Sequence, residues 1–213
     1  KEPQKSEYSQ LSSDQILFNY LHFAAETQQA ADLLSSGCTA IAYETITDAQ
    51  DGLTLLAPMS EVAGRLAAVE GAAQLSAQKG GRGVLISGVP GIDPAGVVNF
   101  GGGVVGANSA KIAVGMGARV MIFGRSLIRL CYLNEMFGNS VIAHHFNAEA
   151  RRKALSRGNM VVDAVLIPGA SAPKLIQRLM LADMKQGVVI VDVAIDQGGC
   201  AETSRATTHQ DPT

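Results

Sequence analysis

Three groups of residues have types and spacings suited to chemistry. Gly101, Gly103 and Gly106 follow the apolar run "VVNF" and satisfy G-x-G-x-x-G, the spacing of a dinucleotide-binding turn. In such a turn the first glycine makes a sharp bend, the second leaves room for a pyrophosphate, and the third lets the following helix lie close to the strand. The helix then offers its first N–H groups to the diphosphate. The second group is Gly124-Arg125-Ser126, at the tip of the next apolar run. An acid usually stands there, gripping the ribose 2′-hydroxyl and repelling a 2′-phosphate. Glycine makes room, a guanidinium pairs with phosphate and a hydroxyl can donate, so the tip is open to NADP as well as NAD. The competing reading is that Arg125 is a solvated surface residue and NAD is held by other contacts.

The third group is His22 and Asp196, each ending an apolar run of β character, with Lys1 at the start of the chain. The C-terminal ends of parallel strands are where sites collect in open sheets. A histidine there can move protons near neutral pH. Asp196 can orient a water or stabilise a cation, and Lys1 can hold a carboxylate or polarise a carbonyl. On residues alone, His22 also reads as a packed, hydrogen-bonded histidine, Lys1 as a solvated terminus and Asp196 as a loop acid. Asp192, inside the same run as Asp196, is the rival acid, placed differently by strand alternation.

The elements that must position these groups alternate in type. Runs at 15–24 and 39–46 read as strands around a helix over 25–38, a βαβ unit. Residues 57–81 read as one long helix with Met59 or Ser60 near its N-cap and Gly80-Gly81 as its stop, bridging two domains. After a Gly/Pro-rich loop at 82–96, strands are expected at 97–100, 119–123, 141–146, 160–167 and 187–195. Helices are expected at 107–117, 126–138, 148–158 and 172–184. The fold class is α/β: a Rossmann-type doubly wound parallel sheet plus part of a second, smaller α/β substrate domain. Residues 1–55 are assigned to the substrate domain and 56–213 to the NAD(P)-binding domain, which is entered by the long linker helix.

Composition narrows the function classes. Apolar residues at 47% and charged residues at 17% build a core rather than a disordered chain. A net charge of −2 without a basic block gives nucleic acid no electrostatic footing. No apolar run is long and unbroken enough to span a bilayer, and "KEPQKSEYSQ" lacks a signal peptide's apolar core. Cys38, Cys131 and Cys200 are odd in number and widely spaced, as free thiols of a reducing cytoplasm would be. No cluster has metal-ligand spacing. His144 and His145 are adjacent, so in a strand they face opposite ways and read as structural; His209 receives no role.

In chain order, "KEP", "LFNYLH", "TAIAYETI", "LLAPMSEVAGRLA", "GGRGVLISGVPG", "GGGVVGANSAKIAVGMGA", "DAVLIPGASAPKLI" and "VDVAIDQGGCAET" resemble alanine dehydrogenase. The transhydrogenase alpha-subunit shares that family's fold and is the alternative, as an NAD(H)-binding module with a membrane partner. The resemblance implies reversible oxidative deamination of L-alanine to pyruvate and ammonia. It further implies NAD as hydride acceptor and a homohexamer in the cytoplasm, with no nucleic-acid or membrane partner. It makes Lys1 and His22 substrate-binding and catalytic, and places Asp196 beside the nicotinamide. Ser60 falls to the cofactor's phosphates, and Gly124, with Arg125 and Ser126, to its ribose. Val104, Val105, Arg129, Val165 and Leu166 complete the implied cofactor surface.

Several features depart from the family. Its N-terminal arginine segment and its C-terminal segment lie outside these residues, so the chain reads as an internal piece with negligible turnover of its own. Asn99 stands where the family is apolar and Asp163 where it has a small residue. Without partners, a buried polar side chain costs about 1–3 kcal/mol, and Asp163 is expected to disturb a strand end near the cofactor.

Overall fold

The computed structural model describes residues 3–23, 27–168, 170–208 and 210–211. Two parallel sheets result. The smaller pairs β1 (Ile16–Asn19) with β2 (Thr39–Ala42) across α1 (Thr27–Ser36). A parallel pair needs such a crossover, and the helical spacing of Gln29 and Leu33, both buried, provides its inner face. Phe18 and Tyr20 pack edge-on against Tyr43, at 4.4 and 5.0 Å between ring centroids. The Tyr20 hydroxyl donates to the Leu55 carbonyl at 2.8 Å, tying the small sheet to the run-in of the next helix.

The larger sheet has the order β5-β4-β3-β6-β7, all parallel. Its strands are β3 (Gly96–Phe100), β4 (Arg119–Gly124), β5 (Val141–His145), β6 (Met160–Asp163) and β7 (Val189–Asp192). Between them run α3 (Val104–Gly115), α4 (Leu127–Phe137) and α5 (Ala148–Arg157). The centre, β3 and β6, is buried on both faces, hence its near-continuous apolar sequence. One core layer sets Val97, Val120, Ile122 and Val162 against small residues of α3 and Leu133 of α4. The opposite layer sets Val98, Phe100, Phe123 and Val161 against Ala154 and Leu155 of α5. The strand order reverses between β3 and β6, and the crevice beyond their C-terminal ends is where such a sheet takes a ligand.

The long helix, α2 (Ala57–Gln74), differs from expectation at both ends. Its N-cap is Leu56, not Met59 or Ser60, and Pro58 lies in its first turn, where a missing N–H costs nothing. Ser60 N already bonds to the Leu56 carbonyl at 3.0 Å, so Ser60 lies inside the helix and is not its cap. The helix closes at Gln74; a separate short turn, Ala77–Lys79, ends at Gly80 with φ +82°. The buried stripe of Gly64, Ala67, Ala68 and Gly71 lets α2 lie directly on α3. A Cβ on Gly64 would overlap the Val105 carbonyl oxygen.

Two other expectations are corrected. Residues 172–184 do not form an α-helix. Their amides are taken by the segment that follows β7: Leu175 N and Ile176 N donate to the Cys200 carbonyl at 2.7 and 3.1 Å. Only the 3₁₀ turn Arg178–Asp183 is helical there. Asn99 is fully buried but has partners, giving its Nδ2–H to the Gly106 carbonyl (3.3 Å) and accepting the Ser109 hydroxyl (3.2 Å). It fastens β3 to the first turns of α3.

Candidate functional site

The glycine turn occupies the sheet crevice, and each glycine has its own steric reason. Gly101 has φ +105°, and a Cβ there would lie 2.6 Å from the Ala164 carbonyl oxygen. Gly106 packs so closely under the turn that a Cβ would overlap the Gly101 carbonyl oxygen. Gly103 has nothing within 4 Å of a Cβ position. That opening faces a cavity of about 670 Å³ lined by Gly101–Val105, Ser60, Gly124, Arg125, Phe146 and Ala164–Leu166. Gly103 is also the cap residue of α3 and carries no side-chain cap, which leaves the first-turn N–H groups to that cavity.

At the end of β4, Gly101 N donates to the Phe123 carbonyl at 2.9 Å, so Gly124 lies beside the glycine turn. Arg125 and Ser126 are exposed. The Ser126 hydroxyl oxygen caps α4 by accepting from Arg129 N at 3.2 Å. Arg129 is tied to the glycine turn. Its Nε donates to the Gly102 carbonyl at 2.7 Å and its guanidinium lies over the Tyr132 ring at 4.8 Å. It braces the glycine turn from behind.

A second cavity, of about 400 Å³, adjoins the first. Tyr20, His22 and Glu44 line it from the small sheet, and Val193, Ala194, Asp196 and Gln197 line it from the far side. Leu56, Ser60, Val105, Ala164, Val165 and Leu166 line both cavities, so the two form one cleft with a shared wall. His22 sits past the end of β1 at φ +47°, unusual for a residue with a side chain. The Glu44 carboxylate holds it there. Its Oε1 accepts from His22 N at 2.6 Å and from Leu21 N at 3.1 Å. Gln29 Nε2 donates to the Leu21 carbonyl, and the Tyr8 hydroxyl donates to Gln29 Oε1 at 3.0 Å. The imidazole stacks on Tyr20, 6.0 Å between centroids and 10° from parallel. Asp196 lies in the turn Val193–Gln197 after β7, with its side chain exposed to the cleft. Buried Gln197 keeps its Oε1 without a hydrogen-bond partner among the described residues.

Behind the shared wall, Asp163 and Asp192 stand in register at the ends of β6 and β7. Asp163 is fully buried, and neither of its carboxyl oxygens has a hydrogen-bond partner among the described residues. Burial first, and the negative Asp192 second, push its carboxyl well above the usual range. Asp192 Oδ2 accepts from Cys200 N and Ala201 N at 2.8 and 3.1 Å, which marks Asp192 as structural. Burial, then Asp163 and Asp192, push the Cys200 thiol up to about 12. Lys174 Nζ donates to the carbonyls of Gly198, Gly199 and Ala201, closing the loop below Asp196.

The structure therefore brings His22, Asp196, Ser60, Val105, Val165 and Leu166 to one cavity, and Gly101, Gly103, Gly124, Val104 and Arg125 to the other, while Gly106, Ser126 and Arg129 line neither. Lys1 and His209 lie outside the described residues. His144 stacks on Phe123 at 5.1 Å while His145 is exposed, as their opposite facing predicts. Sequence reasoning missed Glu44, although "AYET" put a carboxylate at a strand end beside His22's strand. It also missed Gln197 and the Lys174 latch, for which the sequence carries no local signal. No group of three His, Cys, Asp or Glu could hold a metal ion, and no helix is long and apolar enough to cross a membrane, among the described residues.

Family models described as "Alanine dehydrogenase/PNT, N-terminal domain" and "Alanine dehydrogenase/PNT, C-terminal domain" match residues 1–63 and 67–213. The chain is similar to the alanine dehydrogenase of Halomonas elongata, 53% identical over 213 residues, which are all of this chain and 57% of that protein. Its fold is similar to a solved L-alanine dehydrogenase, with TM-score 0.87 and 47% identity, over all of this chain and 59% of that one. A transhydrogenase from Sinorhizobium meliloti, at 22% identity and TM-score 0.75 over 97% of this chain and 61% of that one, shares the fold. The chain thus spans less than two thirds of each relative.

Proposed function

Because the chain belongs to the alanine dehydrogenase/PNT family, we propose that the protein it spans is an alanine dehydrogenase. It would interconvert L-alanine with pyruvate and ammonia, using a nicotinamide adenine dinucleotide. The observation that carries this reading is the single cleft. The open space at Gly103 at one end shares a wall with a cavity bearing a histidine and a carboxylate at the other. The residues fit such a nucleotide: Gly103 leaves space, the uncapped start of α3 suits a diphosphate, and the orphaned Gln197 Oε1 suits a carboxamide N–H. When bound, the nicotinamide supplies the hydride acceptor.

The chain's own residues have the remaining roles. Ser60 and the N–H groups at Val104 and Val105 bind phosphate. His22, aimed by Glu44, takes the proton from the amine as the α-hydrogen departs, and returns one in the reverse direction. Asp196 stabilises the iminium cation and orients the water that converts it to pyruvate and ammonia. Lys1 holds the substrate carboxylate. Residues 1–55 serve as the substrate domain and 56–213 as the nucleotide domain, a division supported by the separate sheets. NAD is the nucleotide the resemblance implies. Neither the glycine turn nor the nicotinamide end separates NAD from NADP, so that choice falls to the ribose at Gly124. The homohexamer and cytoplasmic site also follow from the resemblance.

The test uses the full-length protein with L-alanine and either nucleotide, following nicotinamide absorbance and pyruvate together. Equimolar reduced nucleotide and pyruvate are expected. Nucleotide binding without turnover of L-alanine or any other small amino acid would instead favour a transhydrogenase-type binding module.

A further inference from the structure

The adenosine end of the cleft carries an electrostatic feature that the proposed reaction does not use. Gly124 ends β4 beside the glycine turn, with no side chain where a dinucleotide-binding fold usually places its ribose-gripping acid. A Cβ there would meet the far end of the Leu130 side chain at 3.1 Å, so the position is small but not blocked. Arg125 follows, exposed and lining the same cavity. Unlike Arg129, which is bound to Gly102, Arg125 holds no ion pair among the described residues. Ser126 uses its oxygen lone pair to cap α4 and keeps its O–H as a donor. In register with Gly124 on β5 is His145, an imidazole and not a carboxylate. The cavity's carboxylates, Asp48 and Asp51, come from the loop after β2. Asp48 Oδ1 is taken by the amides of Gln50 and Gly52 within that loop.

We infer that this end of the cleft is a 2′-phosphate subsite, with Arg125 as its cation, so that the protein binds NADP at least as tightly as NAD. The inference rests on the reading of the cleft as a nicotinamide-nucleotide site. Glycine removes the charge that would repel a phosphate dianion from the β4 tip. A neighbouring guanidinium supplies charge-assisted hydrogen bonds that a ribose hydroxyl cannot match.

The experiment is calorimetric titration of the full-length protein with NADP and with NAD, at low and high salt. It is repeated on Arg125→Ala and Gly124→Asp. Arg125→Ala is expected to weaken NADP about 10- to 100-fold and NAD less than about threefold. Gly124→Asp is expected to weaken NADP at least about tenfold while keeping NAD, whose retained binding shows that the variant folds. Added salt should weaken NADP more than NAD. Tighter binding of NAD than NADP by the unsubstituted protein would overturn the inference, as would an Arg125→Ala variant that loses both nucleotides equally or neither. Either result leaves the nicotinamide-nucleotide reading intact. Binding of neither nucleotide would overturn both.

Discussion

Replacing Asp163 with asparagine should change the pH dependence of stability in a calculable way. The side chain is fully buried, its oxygens lack hydrogen-bond partners among the described residues, and it stands in register with Asp192 on the next strand. Parallel neighbours lie about 4.8 Å apart with side chains on the same face. Two ionised carboxylates at about 5 Å repel by about 3 kcal/mol at an effective dielectric of about 20, before any cost of desolvation. The folded protein therefore keeps the Asp163 proton well past the usual carboxylate range. The unfolded chain releases it near pH 3.9. Between those two points the native state binds one proton more than the unfolded state, so stability falls as pH rises, by about 1.4 kcal/mol per unit. The contribution is fully present below about pH 3.9 and gone once pH exceeds the folded value. Asparagine cannot ionise, and its amide can donate to the unpartnered Asp192 Oδ1. Urea unfolding at a series of pH values from about 5 upward would read the difference between Asp163→Asn and the unsubstituted protein. Titrating groups not coupled to Asp163 cancel in that difference. It should grow in the variant's favour with the stated slope and flatten where Asp163 ionises in the folded state. A difference independent of pH would refute the argument.

Other expectations follow from single contacts. Glu44→Ala strands the N–H groups of Leu21 and His22, at about 1–3 kcal/mol each, and should lower both the melting temperature and turnover; Glu44→Gln, which keeps an acceptor, should recover much of the stability. His22→Ala should cut turnover by about 10²- to 10⁴-fold while leaving nucleotide affinity, read by calorimetry, close to unchanged. Gly103→Ala should fold normally and lose nucleotide affinity, whereas Gly106→Ala should lose thermal stability, because its Cβ would overlap the Gly101 carbonyl. Exposed Cys131 should be alkylated promptly at neutral pH, while Cys200, buried with its thiol pushed up to about 12, should react only on unfolding.

Much of this architecture is legible in the sequence because its signals are local. The glycine spacing, the double-sided apolar strands β3 and β6, and the Ser126 and Gly138 helix ends each follow from neighbouring residues. Failures occur where distant chain competes. The 172–184 run has helical spacing, yet residues 197–202 capture its backbone and Lys174. Ser60 looks like a cap because serine usually is one, but Pro58 starts the turn earlier. Asn99 looks like an unpaired intruder until α3 brings Ser109 and the Gly106 carbonyl to it. Glu44 is legible as a carboxylate at a strand end, but its hold on the turn at His22 exists only once α1 sets the two strands side by side.

The glycine contact between α2 and α3 has a mechanical consequence. With Gly64 seated against the Val105 carbonyl and Arg65 Nε bonded to Asn108 Oδ1 at 3.0 Å, the long helix has no slack relative to the start of α3. Any pivoting of the small sheet must be absorbed upstream, in the loop over residues 46–56. Ser60, one turn before Gly64, is thereby fixed beside Val105 on the wall that the two cavities share.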